Sequence, residues 1–308
     1  MRPSDYARLL LLAALWGASF LFMRIAAPVL GGMLTASMRI ALGVASLTIF
    51  LPLLGVSLRL GRHLRATLLL GVINTGIPLL MYALAARVLP AGYSAILNAT
   101  TPLMGVILGA VFFGERVDSR KMLGVAVGLA GVATLTAAGP IEVSLAAVLG
   151  TIACLIATGC YGASGFLVRR WIPPKLGVDA RQVAFGSQLG ACLLLLPFFA
   201  VSLAQNPRSL VFAFTEPSLL LSLLALGIAC TAIGYILYFN LVNDIGPIRC
   251  LTVTFLIPPF GVFWGALFLH ERVTWAHLFG SALIMAALFL VLETAHKPAA
   301  EAKRKVAA

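Results

Sequence analysis

Residues 71–82 read GVINTGIPLLMY and residues 98–117 read NATTPLMGVILGAVFFGERV. Moved 156 positions along the chain without a gap, they fall on GIACTAIGYILY at 227–238 and TFLIPPFGVFWGALFLHERV at 254–273. Gly71 meets Gly227, Thr75 meets Thr231 and Tyr82 meets Tyr238. Further on, Pro102 meets Pro258, Gly105 meets Gly261, Gly109 meets Gly265, and Glu115-Arg116-Val117 meets Glu271-Arg272-Val273. A fainter echo, 145 positions apart, joins Gly17-Ala18-Ser19 to Gly162-Ala163-Ser164 and Arg24 to Arg169. The growth in offset places an insertion in the second half, around 173–179 or 205–217. Self-similarity at a fixed offset governs any reading of the fold.

Composition says what kind of repeat this is. The chain is 61% hydrophobic and 10% charged, with a mean hydropathy of +1.04. Soluble domains carry about 25% charged residues. The apolar runs have the length of about 20 residues that spans hydrocarbon as a helix, and they lack the alternation of a membrane barrel. The expected fold is an all-α membrane protein, with ten spans at 8–27, 33–54, 65–86, 92–113, 121–138, 144–168, 182–203, 218–240, 246–268 and 275–293. The net charge of +12 does not imply nucleic acid, because the basic residues lie in short loops and build no continuous face. The five cysteines sit in apolar segments without metal-ligand spacing and read as small packing residues. The apolar N-terminal run resembles a signal peptide, yet its counterpart lies deep inside the chain, so it is expected to be a retained span.

Seventeen of the 22 Lys and Arg residues fall on one side of these spans and three on the other. The positive-inside rule then puts both termini in the cytoplasm. Each copy has five spans, an odd number, so the second copy enters the membrane inverted. Residues 1–138 form the first repeat and 139–295 the second, and 296–308 form a basic cytoplasmic tail. Inverted repeats are a hallmark of secondary transporters, whose site lies near the midplane between the copies.

Two halves of five spans, each with a Pro-containing helix ending in (G/H)ERV and a Gly nine residues after the Glu, resemble the EamA branch of the drug/metabolite transporter superfamily. The WGASF opening at 16–20 followed by Arg24 is similar to that branch's first helix. One departure is His270 where the first copy has Gly114. The resemblance implies small-molecule transport, mostly export, across the bacterial inner membrane. Characterised relatives include an exporter of aromatic amino acids. Other small solutes (amines, nucleosides, drugs, sugar phosphates) remain alternatives at this point.

The residues themselves point to a site. Uncharged polar and aromatic side chains in mid-bilayer are costly facing lipid and are expected to point inward. Trp16 and Ser19 mark the first span, and Tyr161 and Ser164 the sixth. Asn74, Pro78 and Tyr82 share a face of the third span; Thr231, Tyr235 and Tyr238 share one of the eighth. Asn98 and Thr254 head the faces that carry Pro102 and Pro258. The expected substrate-binding set is Trp16, Ser19, Asn74, Tyr82, Asn98, Tyr161, Tyr238 and Thr254, with Pro102 and Pro258 as hinges. Inter-helix hydrogen bonding and interfacial anchoring would draw on the same residue types.

Arg39 and Arg24 lie within or at the end of spans. Each could meet a substrate carboxylate, snorkel to the interface or pair with a helix C-terminus. No Asp or Glu falls in mid-span, which disfavours a proton relay, and Glu115 and Glu271 are expected to fix tight connections at span ends. The four histidines show no HExxH or paired-acid spacing, so an intramembrane enzyme is disfavoured and no metal or cofactor is expected. No filter or charged ring of a channel is visible. The expected partners are a small molecule and the bilayer, and a single copy of the chain is expected to suffice.

Overall fold

The computed structural model describes residues 2–115, 118–138, 144–172, 179–246, 250 and 253–293. Arg116, Val117, Pro140, residues 173–178, Arg249 and the tail at 296–308 lie outside them. Among the described residues every regular element is helical. Helix α1 (Pro3–Leu30) turns at Gly31, whose φ of 82° needs no Cβ to be avoided, into α2 (Gly32–Leu53). Helix α3 (Leu64–Gly71) passes through a π-helical turn at Val72–Gly76 into α4 (Ile77–Ala85). Then come α5 (Ala91–Asn98), α6 (Thr101–Phe113), α7 (Ser119–Ala138), α8 (Leu145–Trp171) and α9 (Ala180–Gln205). The short α10 (Arg208–Thr215) precedes α11 (Pro217–Leu224), which continues through a second π-helical segment, Ala225–Ile233, into α12 (Gly234–Ile245). Helices α13 (Val253–Leu269) and α14 (Trp275–Glu293) close the described chain.

Six helices are long and apolar enough to cross a membrane, or seven if the bent pair α5 and α6 is one span. Helix α13 and the segment Trp275–Leu290 are shorter apolar helices. Nine of the ten expected spans overlap one of these helices or a joined pair, and the remaining one, 121–138, falls on α7, which is not among them. Large apolar side chains such as Leu53, Phe112, Leu145, Phe268 and Leu278 stay exposed, as suits a surface solvated by lipid tails rather than water.

Because lipid gives apolar helices no hydrophobic drive to associate, they pack where small residues let backbones approach. Helix α1 lies along α13, α2 along α9, α4 and α6 along α8, and α7 along α14. The repeated glycines show this most clearly. A Cβ on Gly71 would overlap the Ser187 backbone of α9, and one on Gly227 would overlap the Leu42 side chain of α2. The first half of the sequence thus meets the second in close contact at both repeated glycines.

Local conformation also recurs at the 156-residue offset. The first π-helical turn begins directly after Gly71, and the second contains Gly227, its repeat mate. Gly114 and His270, which coincide in the repeat, both adopt left-handed backbone, at φ 68° and 54°. The amide of Glu115 donates to the Gly109 carbonyl over 3.0 Å, and that of Glu271 to the Gly265 carbonyl over 3.2 Å. Both bonds close the helix C-terminus in the same way and satisfy a carbonyl that would otherwise lack a partner. The departure at His270 therefore leaves the turn unchanged and places a non-glycine residue in a conformation that suits glycine.

Candidate functional site

The sequence puts a helix break where the middle of the molecule needs polar groups. Proline cannot donate, so Pro102 frees the carbonyl of Asn98 four residues earlier. The chain bends by 42° between α5 and α6 at this point. Neighbouring hydroxyls take over the freed carbonyls: Thr101 Oγ1 donates to Asn98 O over 2.8 Å and Thr100 Oγ1 to Leu97 O over 2.8 Å. This is the usual way a broken helix is tolerated at membrane depth. The π-helical turns have a similar effect on α3–α4 and α11–α12. In the second, Thr231 Oγ1 donates to the Leu226 carbonyl, five residues back, over 2.8 Å. Wide turns of this kind occur often at functional sites.

These irregular segments surround one cavity of about 270 Å³. It is lined from α1 by Trp16, Ser19, Phe20 and Met23, from α2 by Arg39, and from the first π-helical turn by Asn74. Tyr82 of α4, Asn98 of α5, Thr101 of α6 and Tyr161 of α8 add to the wall, as do Cys230, Tyr235 and Tyr238, and then Val253, Thr254 and Ile257. All eight residues expected to bind substrate stand on this wall. Pro102 and Pro258 do not; Pro258 borders a separate apolar crevice with Ile96, Phe255 and Ser281.

The rings form two groups. Trp16 packs on Tyr238 at 5.4 Å and on Tyr235 at 6.3 Å between ring centres. Tyr82 packs edge-on against Phe20 at 5.3 Å and stacks with Tyr161 at 6.4 Å. Offset and edge contacts at such distances stabilise by about 0.5–1.5 kcal/mol each and hold the rings in place. Tyr82 donates its hydroxyl to Asn98 Oδ1 over 2.9 Å, which fixes both side chains. Ser19 and Ser164, matched by the echo, donate back to the carbonyls of Trp16 and Tyr161 over 2.8 Å and 2.7 Å. The Ser19 hydroxyl proton is thereby engaged, and its oxygen is left to accept.

The two intramembrane arginines separate. Arg24 Nη1 donates to the Ala86 carbonyl over 2.9 Å at the end of α4, where a cation complements the helix dipole. Arg39 is buried on the cavity wall, with Nε donating to Thr231 Oγ1 over 3.2 Å. Glu271 reaches away from the cavity. Its Oε1 accepts from the Ala91 amide over 2.7 Å and its Oε2 from the Gly92 amide over 3.1 Å, at the start of α5.

Sequence reasoning left Phe20, Met23, Thr101 and Cys230 out of the site. Apolar residues on an apolar helix carry no periodic signal that separates a cavity wall from a lipid face, and only packing distinguishes them. Tyr235 lay on a face already identified and belonged with Tyr238. No cluster of His, Cys, Asp or Glu able to hold a metal occurs among the described residues.

The model of the EamA-like transporter family matches residues 6–137 and 148–293. The chain is similar to a probable amino-acid metabolite efflux pump of Escherichia coli (strain K12), 25% identical over 94% of this chain and 95% of that one. It is 29% identical to the uncharacterized transporter YvbV of Bacillus subtilis (strain 168) over 94% of this chain and 92% of the relative. A probable terminal-alkyne amino-acid exporter of Streptantibioticus cattleyicolor is 26% identical over 66% of this chain and 64% of its own. One crystal structure superposes on 96% of this chain and 98% of its own with a TM-score of 0.61 at 20% identity, a likeness of fold.

Proposed function

The chain belongs to the EamA-like transporter family and is a multi-pass membrane protein, and from that premise we propose that it exports small metabolites by alternating access, amino acids foremost and aromatic ones included. The observation that carries the reading is the cavity of about 270 Å³, walled by two ring groups and neutral polar side chains from both halves of the chain. Its volume lies just below the range of about 300–1,000 Å³ typical of drug-sized ligands. A cavity of that size suits a single small metabolite such as an amino acid. The efflux-pump and exporter names of two relatives point the same way.

The mechanism follows from the repeat. Ten spans, arranged as an inverted pair at 1–138 and 139–295, would let each half adopt the conformation of the other and so open the cavity to either side in turn. The recurrence of the π-helical turns and of the left-handed turns at Gly114 and His270 supports this arrangement. Pro102 and Pro258 serve as the points where the helices flex. The bacterial inner membrane, with both termini cytoplasmic, suits the charge bias. Trp16, Tyr82, Tyr161 and Tyr238 hold the apolar part of the substrate, while Ser19, Asn74, Asn98 and Thr254 meet its polar atoms.

Cells expressing the chain should resist toxic aromatic amino-acid analogues. Tyr82→Ala and Asn98→Ala should weaken that resistance with the protein still in the membrane. Equal sensitivity of expressing and non-expressing cells, with the protein present, would reject the amino-acid reading.

A further inference from the structure

Arg39 is only 6% exposed, lies on the cavity wall and has no anionic partner among the described residues. Its side-chain contacts are Nε to Thr231 Oγ1 at 3.2 Å and Nη1 to the Met23 sulfur at 3.5 Å. Both are neutral, and the second is a weak acceptor. A guanidinium has five N–H donors in a planar fork that matches a carboxylate. Most of those donors face no acceptor here. A cation held within a membrane protein is costly unless something completes it.

Two comparisons within the molecule argue against a purely structural role. Arg24, the other intramembrane arginine, is satisfied at a helix C-terminus and does not line the cavity. The corresponding contact in the other half does without charge. A Cβ on Gly227 would overlap the Leu42 side chain and come within 3.2 Å of the Arg39 carbonyl, whereas one on its repeat mate Gly71 would overlap the backbone of the neutral Ser187. Packing at this type of junction does not require an arginine.

We propose, building on the export reading above, that Arg39 is the anchor for the substrate's carboxylate, and that the cavity selects carboxylates without reading an ammonium group. The second part follows from what is absent on the wall. Among the described residues no Asp or Glu lines the cavity, so an ammonium would meet ring faces and neutral oxygens. The carboxylate seats on the unfilled face of the Arg39 fork, and the apolar body lies among Trp16, Tyr82, Tyr161 and Tyr238. The substrate class is then apolar or aromatic monocarboxylic acids, with amino acids as one subset.

The test uses full-length protein in detergent and isothermal titration with L-phenylalanine, L-phenylalaninamide and 3-phenylpropionate. The wild type should bind phenylalanine and phenylpropionate with similar affinity, each about tenfold or more tighter than the amide, since charge-assisted bidentate bonds are the strong ones. In Arg39→Gln the preference for acid over amide should fall to near unity, and Arg39→Lys should keep part of it. A ratio measured within one preparation does not depend on how much of a variant is folded. The proposal fails if phenylalanine and its amide bind the wild type equally, or if the preference survives in Arg39→Gln. It also fails if phenylalanine binds and phenylpropionate does not, because the ammonium is then read. If none of the three binds the wild type, the amino-acid reading itself falls and this proposal with it.

Discussion

Removing the Glu271 carboxylate should release the start of α5. Pro90 stands at the N-cap position of that helix, with no capping hydrogen bond from its own side chain. The first amides of a helix have no intrahelical acceptor, and here Glu271, from the other half of the sequence, supplies one at 2.7 Å to Ala91 and one at 3.1 Å to Gly92. Hydrogen bonds to charged groups are worth about 1.5–3 kcal/mol each. Glu271 is half-buried, so water screens the pair and the sum for Glu271→Ala falls to about 2 kcal/mol. That is roughly a 30-fold shift between the closed and open forms of the contact. Hydrogen exchange of the amides at 91 and 92, followed in detergent by mass spectrometry, should accelerate by about that factor. Gly265→Ala should do the same with the carboxylate retained, because an added methyl would overlap Glu271 Oε2. Glu115→Ala, in the first copy of the turn, should leave these two amides protected. Unchanged exchange at Ala91 and Gly92 in Glu271→Ala would refute the reasoning, and the carboxylate would then be a bystander at the interface.

Three other outcomes are expected. Reporter fusions at His296 and Pro140 should report the cytoplasm and the periplasm respectively, and the same compartment from both would rule out the inverted repeat. Replacing Pro102 or Pro258 with Ala should slow transport in proteoliposomes while the protein stays folded, and full flux in both single variants would reduce these prolines to packing residues. His270→Gly should raise the unfolding temperature without changing flux, because left-handed backbone costs a non-glycine residue about 1 kcal/mol. A lower unfolding temperature would mean that the imidazole stabilises the turn by more than its backbone strain.

The sequence alone determined the helices, the repeat and eight of the residues that line the cavity. The reason is the solvent. In lipid each backbone polar group must be satisfied within its own segment, so long apolar runs have helix as their outcome and need no tertiary information to be recognised. Polar and aromatic side chains at mid-span are conspicuous against that background, which is why Asn74, Asn98 and Thr254 could be picked out unaided. Only the tertiary structure decided what those side chains meet. Arg39 and Thr231 are 192 positions apart, and Ala91 and Glu271 are 180 apart. Offsets within a helix do not determine contacts at that separation. They depend on which glycines let α2 and α9 close on the opposite half, and on where the π-helical turns rotate the following residues. The same packing separated Arg24, held at a helix end, from Arg39, held at the cavity with no anion beside it among the described residues. On a hydropathy plot the two arginines look alike.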